Sequence, residues 1–283
     1  MPTTISQYLH HQHAPEFLRR FPFLLYPYYA VNMLSVQRVR YSRRAVNRII
    51  RSGSRLNAVT DAGCGLGDFL FTIPAVRNAE HVTGIDISSS NIELCKSLAG
   101  SIGATKMKFI CSDLSEAELP GGQDLIICVG VMMYIKDDEA LIRKFFEALS
   151  VGGRVVIYAA VNYRRNLPLY KRLSQTAGFD YDDVFGRAQT YTDGSLEQLL
   201  EKCGFTVERA EYSFGKTAAT LYEISSIVEW FVKTKNPVLS LIILPLYVIF
   251  YPFYLLSLFV DYHTSRSTGN GVAITAVKKN KVI

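Results

Sequence analysis

From Asn57 onward, short apolar runs alternate with stretches whose apolar residues recur at helical spacing. The runs AVT, HVTGIDIS, MKFICSDLS, GGQDLIICVGVMMYI and GRVVIYAAVNY read as strands, followed later by TVERAEYSF and a final GVAITAV. FLFTIPAVRNA, NIELCKSLAGSIG, DEALIRKFFEALSVGG and TDGSLEQLLEKCGF read as helices between them. Ser88–Ser90 supply cap chemistry for the second of these helices, and Asp193 or Ser195 for the last. Strand and helix in alternation predict a mostly parallel α/β sheet.

Both flanks depart from this rhythm. Residues 16–34 (EFLRRFPFLLYPYYAVNML) are apolar and aromatic, and Pro22 and Pro27 exclude a straight spanning helix. SVQRVRYSRRAVNRIIRSGSRL then predicts a helix ending near Gly53, with Arg40, Arg44, Arg48, Arg51 and Arg55 on one face and Val39, Val46, Ile49 and Ile50 on the other. Residues 1–55 thus form a basic aromatic extension or lid ahead of an α/β domain over 56–283. Inside that domain, 216–268 intervene before the last strand. TLYEISSIVEWFVKTK has helical spacing, and residues 237–260 then run 24 positions without a charge. One crossing of a bilayer would strand GVAITAV on the wrong side, so a turn at Pro245 or Pro252 and a return are expected.

Charge sharpens the picture of the N-terminus. The net charge is +6, but residues 1–55 carry nine Arg against Glu16, so the remainder is slightly acidic. The arginine face reads either as a solvated face or as a basic element on an anionic membrane. Nucleic acid would leave FPFLLYPYY unexplained. NYRRNLPLYKRL (162–173) adds Arg164, Arg165, Lys171 and Arg172, which either hold an anionic headgroup or extend the basic surface. The five cysteines are odd in number and have no CxxC pairing, which predicts reduced thiols and neither a disulfide framework nor a metal site. The first 15 residues predict no signal peptide, and His10, His11 and His13 belong to a loose tail.

The candidate chemistry begins at Asp61-Ala62-Gly63-Cys64-Gly65-Leu66-Gly67-Asp68. Glycines this dense let backbone bend and approach a ligand, with N–H groups aimed at a polar or anionic group. A dinucleotide loop needs G-x-G-x-x-G, but Asp68 stands where its third glycine would fall. Further acids follow the second strand (Asp86, 19 residues beyond Gly67) and the third (Asp113). A ribose diol and an adenine amino group are both donors, so each suits a carboxylate.

This constellation resembles the class I S-adenosylmethionine-dependent methyltransferases over roughly residues 57–215 and the last strand. The resemblance implies a Rossmann-like, seven-stranded, mostly parallel sheet with an antiparallel last strand and helices on both faces. It implies S-adenosylmethionine as cofactor, held by Asp61, Gly63, Cys64, Gly65, Gly67, Asp86, Ile87, Asp113, Leu114 and Val129. QDLIICVGVMMYIKD is similar to the family's fourth-strand segment, but Met133 and Tyr134 stand where many relatives carry histidine. Tyr134 or Asp182 is then the candidate base, and positioning of the nucleophile is the main device. Together with the apolar flanks, the expectation is an enzyme on the cytoplasmic membrane face, peripheral or monotopic, methylating a quinone precursor, a lipid or a fatty or polyketide chain. The alternatives are a soluble enzyme for aromatic natural products, its apolar segments serving as a lid or homodimer interface, and an inactive cofactor-binding module.

Overall fold

The computed structural model describes residues 16–162, 164–174, 187–233 and 237–280. His10, His11, His13 and Asp182 lie outside them. The chain enters through α1 (Glu16–Arg20), a 3₁₀ turn at Pro22–Leu24, α2 (Leu25–Ser35) and α3 (Gln37–Arg51). The sheet then forms from β1 (Ala58–Ala62), β2 (His81–Asp86), β3 (Met107–Cys111), β4 (Gln123–Val129) and β5 (Leu149–Ala160). Its helices are α4 (Asp68–Thr72), α5 (Pro74–Arg77), α6 (Ser89–Ser101), α7 (Asp138–Ala148), α8 (Pro168–Leu173) and α9 (Ser195–Lys202). After β6 (Thr206–Ser213) come α10 (Lys216–Lys233), α11 (Pro237–His263) and β7 (Gly271–Val277).

The strand order is β3-β2-β1-β4-β5-β7-β6, with β7 antiparallel to both neighbours and the other pairs parallel. Successive residues of β4 go to opposite cores: Leu125 and Ile127 to one, Ile126 and Cys128 to the other. A sheet covered on both faces needs apolar residues in sequence rather than in alternation, which is why β4 reads as an unbroken apolar run. The C-terminal ends of β1 to β5 share one edge, and the loops at Gly63, Ile87, Asp113 and Gly130 lie along it.

The N-terminal extension joins this core. Leu25, Tyr29, Ala45, Val46 and Ile49 are buried in the same cluster as Val59 and Val156. Its arginine row turns inward. Arg44 and Arg48 both pair with Glu211 of β6, while Arg40 and Arg44 stack over the Tyr262 ring at 4.3 and 3.4 Å. The solvated-face and membrane-face expectations therefore both fail for Arg40, Arg44 and Arg48, because acid and aromatic partners from distant sequence meet them first.

Three local expectations are corrected. FLFTIPAVRNA forms two short helices, because Pro74 has no N–H to continue α4 and instead opens α5. The cap of α9 is Gly194, with Ser195 turned back to the Thr192 carbonyl. Residues 237–263 make no turn at Pro245 or Pro252: α11 is one continuous helix, and the return is a hairpin with α10. Both prolines are exposed, so each forfeits a helical hydrogen bond without disturbing packing. Ala218, Tyr254 and Leu258 form the hairpin's small core, and Ser225 Oγ meets Tyr247 Oη at 2.8 Å.

Candidate active site

Asp61 is the penultimate residue of β1, and the chain then passes through Gly63, Gly65 and Gly67, all at positive φ. A Cβ on Gly63 would collide with Val131, and one on Gly67 would stand 2.6 Å from the Phe71 ring, so neither position admits a side chain. Over Gly65 there is open space. Four of the loop's donors are spent internally. Gly63 N–H and Cys64 N–H donate to the Ile85 carbonyl, Gly67 N–H to the Cys64 carbonyl, and Gly65 N–H to Asp86 Oδ2 at 2.8 Å. The expectation that the loop aims its N–H groups at a polar or anionic ligand therefore does not hold for Gly63, Cys64, Gly65 and Gly67. A phosphate cradle needs free donors, and a cofactor without phosphate does not.

Asp86 is nearly buried and accepts Gly65 N–H, Ser88 N–H at 2.9 Å and Asn91 Nδ2 at 3.4 Å. Burial raises its carboxyl above the ordinary range, and the backbone donors work against that rise. A carboxylate has about four lone-pair sites, so Asp86 keeps acceptor capacity for a ribose. Asp61 is fully buried, and its Oδ2 has no hydrogen-bond partner among the described residues. Burial, then Asp86 and Asp68, push Asp61 well above the usual carboxylate pKa. A buried acid without a partner marks a missing donor, and the α-ammonium of S-adenosylmethionine is a group that would supply one. The residues present fit that cofactor.

Of the other expected contacts, Ile87 is exposed beside Asp86, as a ring-packing residue must be. Asp113 is half-buried, with Oδ1 accepting Ser115 N–H at 2.8 Å. Leu114 is buried beneath, with Ala62 and Ile85, and Val129 closes the edge at the end of β4. Cys64 differs: its thiol sits under the loop, against the position a Gly84 Cβ would take, so it packs in the core instead of facing the cleft. Tyr134 lies on a 3₁₀ turn, Met132–Tyr134, just beyond β4. Met133 is buried, and its carbonyl accepts the Ala188 and Gln189 N–H groups, so its role is apolar and structural.

Several residues of this edge were invisible in the sequence. Tyr29 Oη donates to the Leu66 carbonyl at 2.6 Å, Asn32 Nδ2 reaches Asp68 at 3.5 Å, and Arg43 Nη2 donates to the Thr72 carbonyl at 2.8 Å. The extension thereby clamps the glycine loop. Arg38, exposed at the start of α3, has its side chain beside Gly130 and makes no ion pair among the described residues. A guanidinium there suits the cofactor's carboxylate. Asn162, just beyond β5, holds φ at 47° and has a buried Nδ2 without a partner among the described residues, a strained residue of the kind found at binding edges. Only the fold brings these residues to one place, and no local motif marks them.

The family described as a methyltransferase domain matches residues 54–202, more than half of the chain. The chain belongs to that family. The methyltransferase is 30% identical over 178 residues to the ubiquinone biosynthesis O-methyltransferase of Chromobacterium violaceum, a match covering 58% of this chain and 75% of that one. It is 29% identical over 148 residues to phosphoethanolamine N-methyltransferase 3 of Arabidopsis thaliana, covering 50% of this chain but only 29% of that longer protein. Among solved structures, magnesium protoporphyrin IX methyltransferase of Synechocystis PCC 6803 with bound SAH shares the fold, with TM-score 0.51, 18% identity and 86% and 84% of the two chains covered. So does the [4+2]-cyclase SpnF, with TM-score 0.51, 17% identity and 84% and 80% covered. The fold alone carries more than one chemistry, and here family membership decides: this is a class I enzyme that uses S-adenosylmethionine.

Proposed function

We propose that this methyltransferase works at a membrane surface and methylates a lipophilic acceptor. One observation carries the reading. Ile243–His263 has mean hydropathy 2.0, yet only 11% of it is buried in the protein. Leu241, Ile249 and Phe253 are 77%, 65% and 63% exposed. Phe17, Phe23 and Leu34 of the entry segment are exposed too, and α2 packs against α11. An apolar surface of this extent calls for a lipid or protein cover, and a 27-residue helix is long enough to lie along a bilayer or dip into it. The Chromobacterium violaceum relative is a ubiquinone biosynthesis O-methyltransferase, and a quinone precursor is an acceptor of the expected kind.

Bound S-adenosylmethionine supplies an electrophilic methyl on its sulfonium. The chain's own part is to hold and orient: Asp61 and Arg38 grip the amino-acid end, Asp86 and Asp113 the nucleoside end. The acceptor enters over Gly130 and Tyr134. Tyr134 is the described residue offered as proton acceptor, and alignment of the acceptor atom with the methyl supplies most of the acceleration.

The test is flotation of the full chain with phosphatidylcholine vesicles at physiological salt, followed by transfer of labelled methyl groups into a total lipid extract. Wild type should float, and L246E/I249E/F253E should remain below with cofactor affinity intact. Wild-type protein wholly in the soluble fraction would sink the membrane reading. A stable dimer dispersed by the same triple substitution would show that a second copy covers α11 instead.

A further inference from the structure

At the root of the α10–α11 hairpin, where both helices rejoin the domain, lies a cavity of ≈ 480 Å³. Three cations line it, Arg164, Lys216 and Arg266, together with Asn166, Ser267 and Thr268, and none of the described lining residues is acidic. The cations are only partly neutralised. Arg164 lies 3.4 Å from Asp193 and is mostly exposed. Arg266 Nε stands 3.0 Å from the buried Asp261 carboxylate but out of hydrogen-bonding alignment. The Arg266 guanidinium rests against Gly215, a position where a Cβ would displace it, and its Nη atoms have no acceptor among the described residues. The Lys216 ammonium has no partner among the described residues either.

The Asn166 backbone N–H donates to Glu223 Oε1 at 2.7 Å, which fixes the chain just beyond Arg164. A guanidinium fork, an ammonium and the two hydroxyl residues form a donor set for an oxyanion with several acceptor oxygens.

We propose that this cavity binds the phosphate group of a phosphate ester. It sits beyond the start of β7, two strands from β4 on the edge that carries the cofactor site. At about 4.8 Å per strand, that is on the order of 10 Å from Gly130, a span suited to holding the phosphate of an acceptor whose reactive end lies in the cleft. The ester is either a lipid headgroup or a soluble metabolite. Only the lipid source rests on the membrane reading above.

The experiment compares wild type with R164Q/K216Q, two exposed cations that leave the Arg266–Asp261 pair in place. Three probes are used with the full chain: glycerol 3-phosphate by calorimetry, neutral phosphatidylcholine vesicles, and vesicles containing phosphatidic acid. Losing charged hydrogen bonds should weaken phosphate binding about tenfold or more. Saturable glycerol 3-phosphate binding that weakens this much in the variant establishes the site for a soluble ester. A preference for phosphatidic acid over neutral vesicles that disappears in the variant establishes it for a lipid headgroup. Affinity for both anionic probes equal in wild type and variant overturns the proposal. Neutral vesicles report on α11 alone, so failure to bind them counts against the membrane reading and not against the cavity. Unchanged cofactor affinity shows the variant to be folded.

Discussion

Gly65 donates its backbone N–H to Asp86 Oδ2 at 2.8 Å. The acid expected to grip the ribose also pins the glycine loop, so recognition and loop shape share one side chain. D86A should therefore weaken S-adenosylmethionine binding by more than a lost ligand contact. One charged hydrogen bond contributes about 1.5–3 kcal/mol, so a loss of at least about a hundredfold is expected by calorimetry, with a circular dichroism spectrum unchanged from wild type. Equal affinity in D86A would remove Asp86 from the site.

Val131 occupies the space that a Gly63 side chain would need, and Gly63 also sits at φ +85°. Two penalties act in G63A, a collision and a left-handed backbone. The melting temperature should fall by several degrees, with about 1–2 kcal/mol from the backbone alone. Adding V131A should recover the collision part only. Full recovery in the double variant would show the backbone strain to be negligible.

Asp61 has a pKa raised well above the ordinary carboxylate value, chiefly by burial. An acid with a raised folded pKa binds its proton more tightly in the native state. Its contribution is complete below the unfolded pKa and is lost as pH rises through the folded one. The cofactor-free protein should therefore lose stability as pH climbs above the ordinary carboxylate range. D61N should flatten that slope, measured by urea denaturation across pH. A slope identical in D61N would mean that Asp61 titrates normally.

Asp261 is 1% exposed and accepts Phe214 N–H at 2.9 Å, Gly215 N–H at 2.8 Å and Gln37 Nε2 at 3.0 Å. It joins the root of the hairpin to α3 and to the end of β6. D261A leaves several buried donors unpaired and should cost about 3–5 kcal/mol, with amide exchange in α11 accelerated before global unfolding. E211Q keeps a hydrogen-bonding side chain between Arg44 and Arg48 and removes only the charge of these part-buried pairs, so it should cost less, about 1 kcal/mol. Comparable losses in the two would contradict the anchoring role of Asp261.

The sheet, the glycine loop and the acids at strand ends are legible along the chain, because they depend on local periodicity and on residues next to strands. Asp61, Asp86 and Asp113 could be placed for the same reason: a parallel sheet brings every such terminus to one edge. Partnership between distant segments emerges only on folding. The arginines of α3 have a pattern that fits solvent or lipid equally well, and Glu211 and Tyr262, more than 160 residues away, settled it. The same holds for the spent N–H groups of the loop, for Tyr29 and Asn32 clamping it, and for the three cations around Asn166. A continuous α11 through two prolines was equally hidden, since its tolerance rests on which way those rings face. Periodicity records which face of an element is apolar. Only the folded chain shows what that face meets.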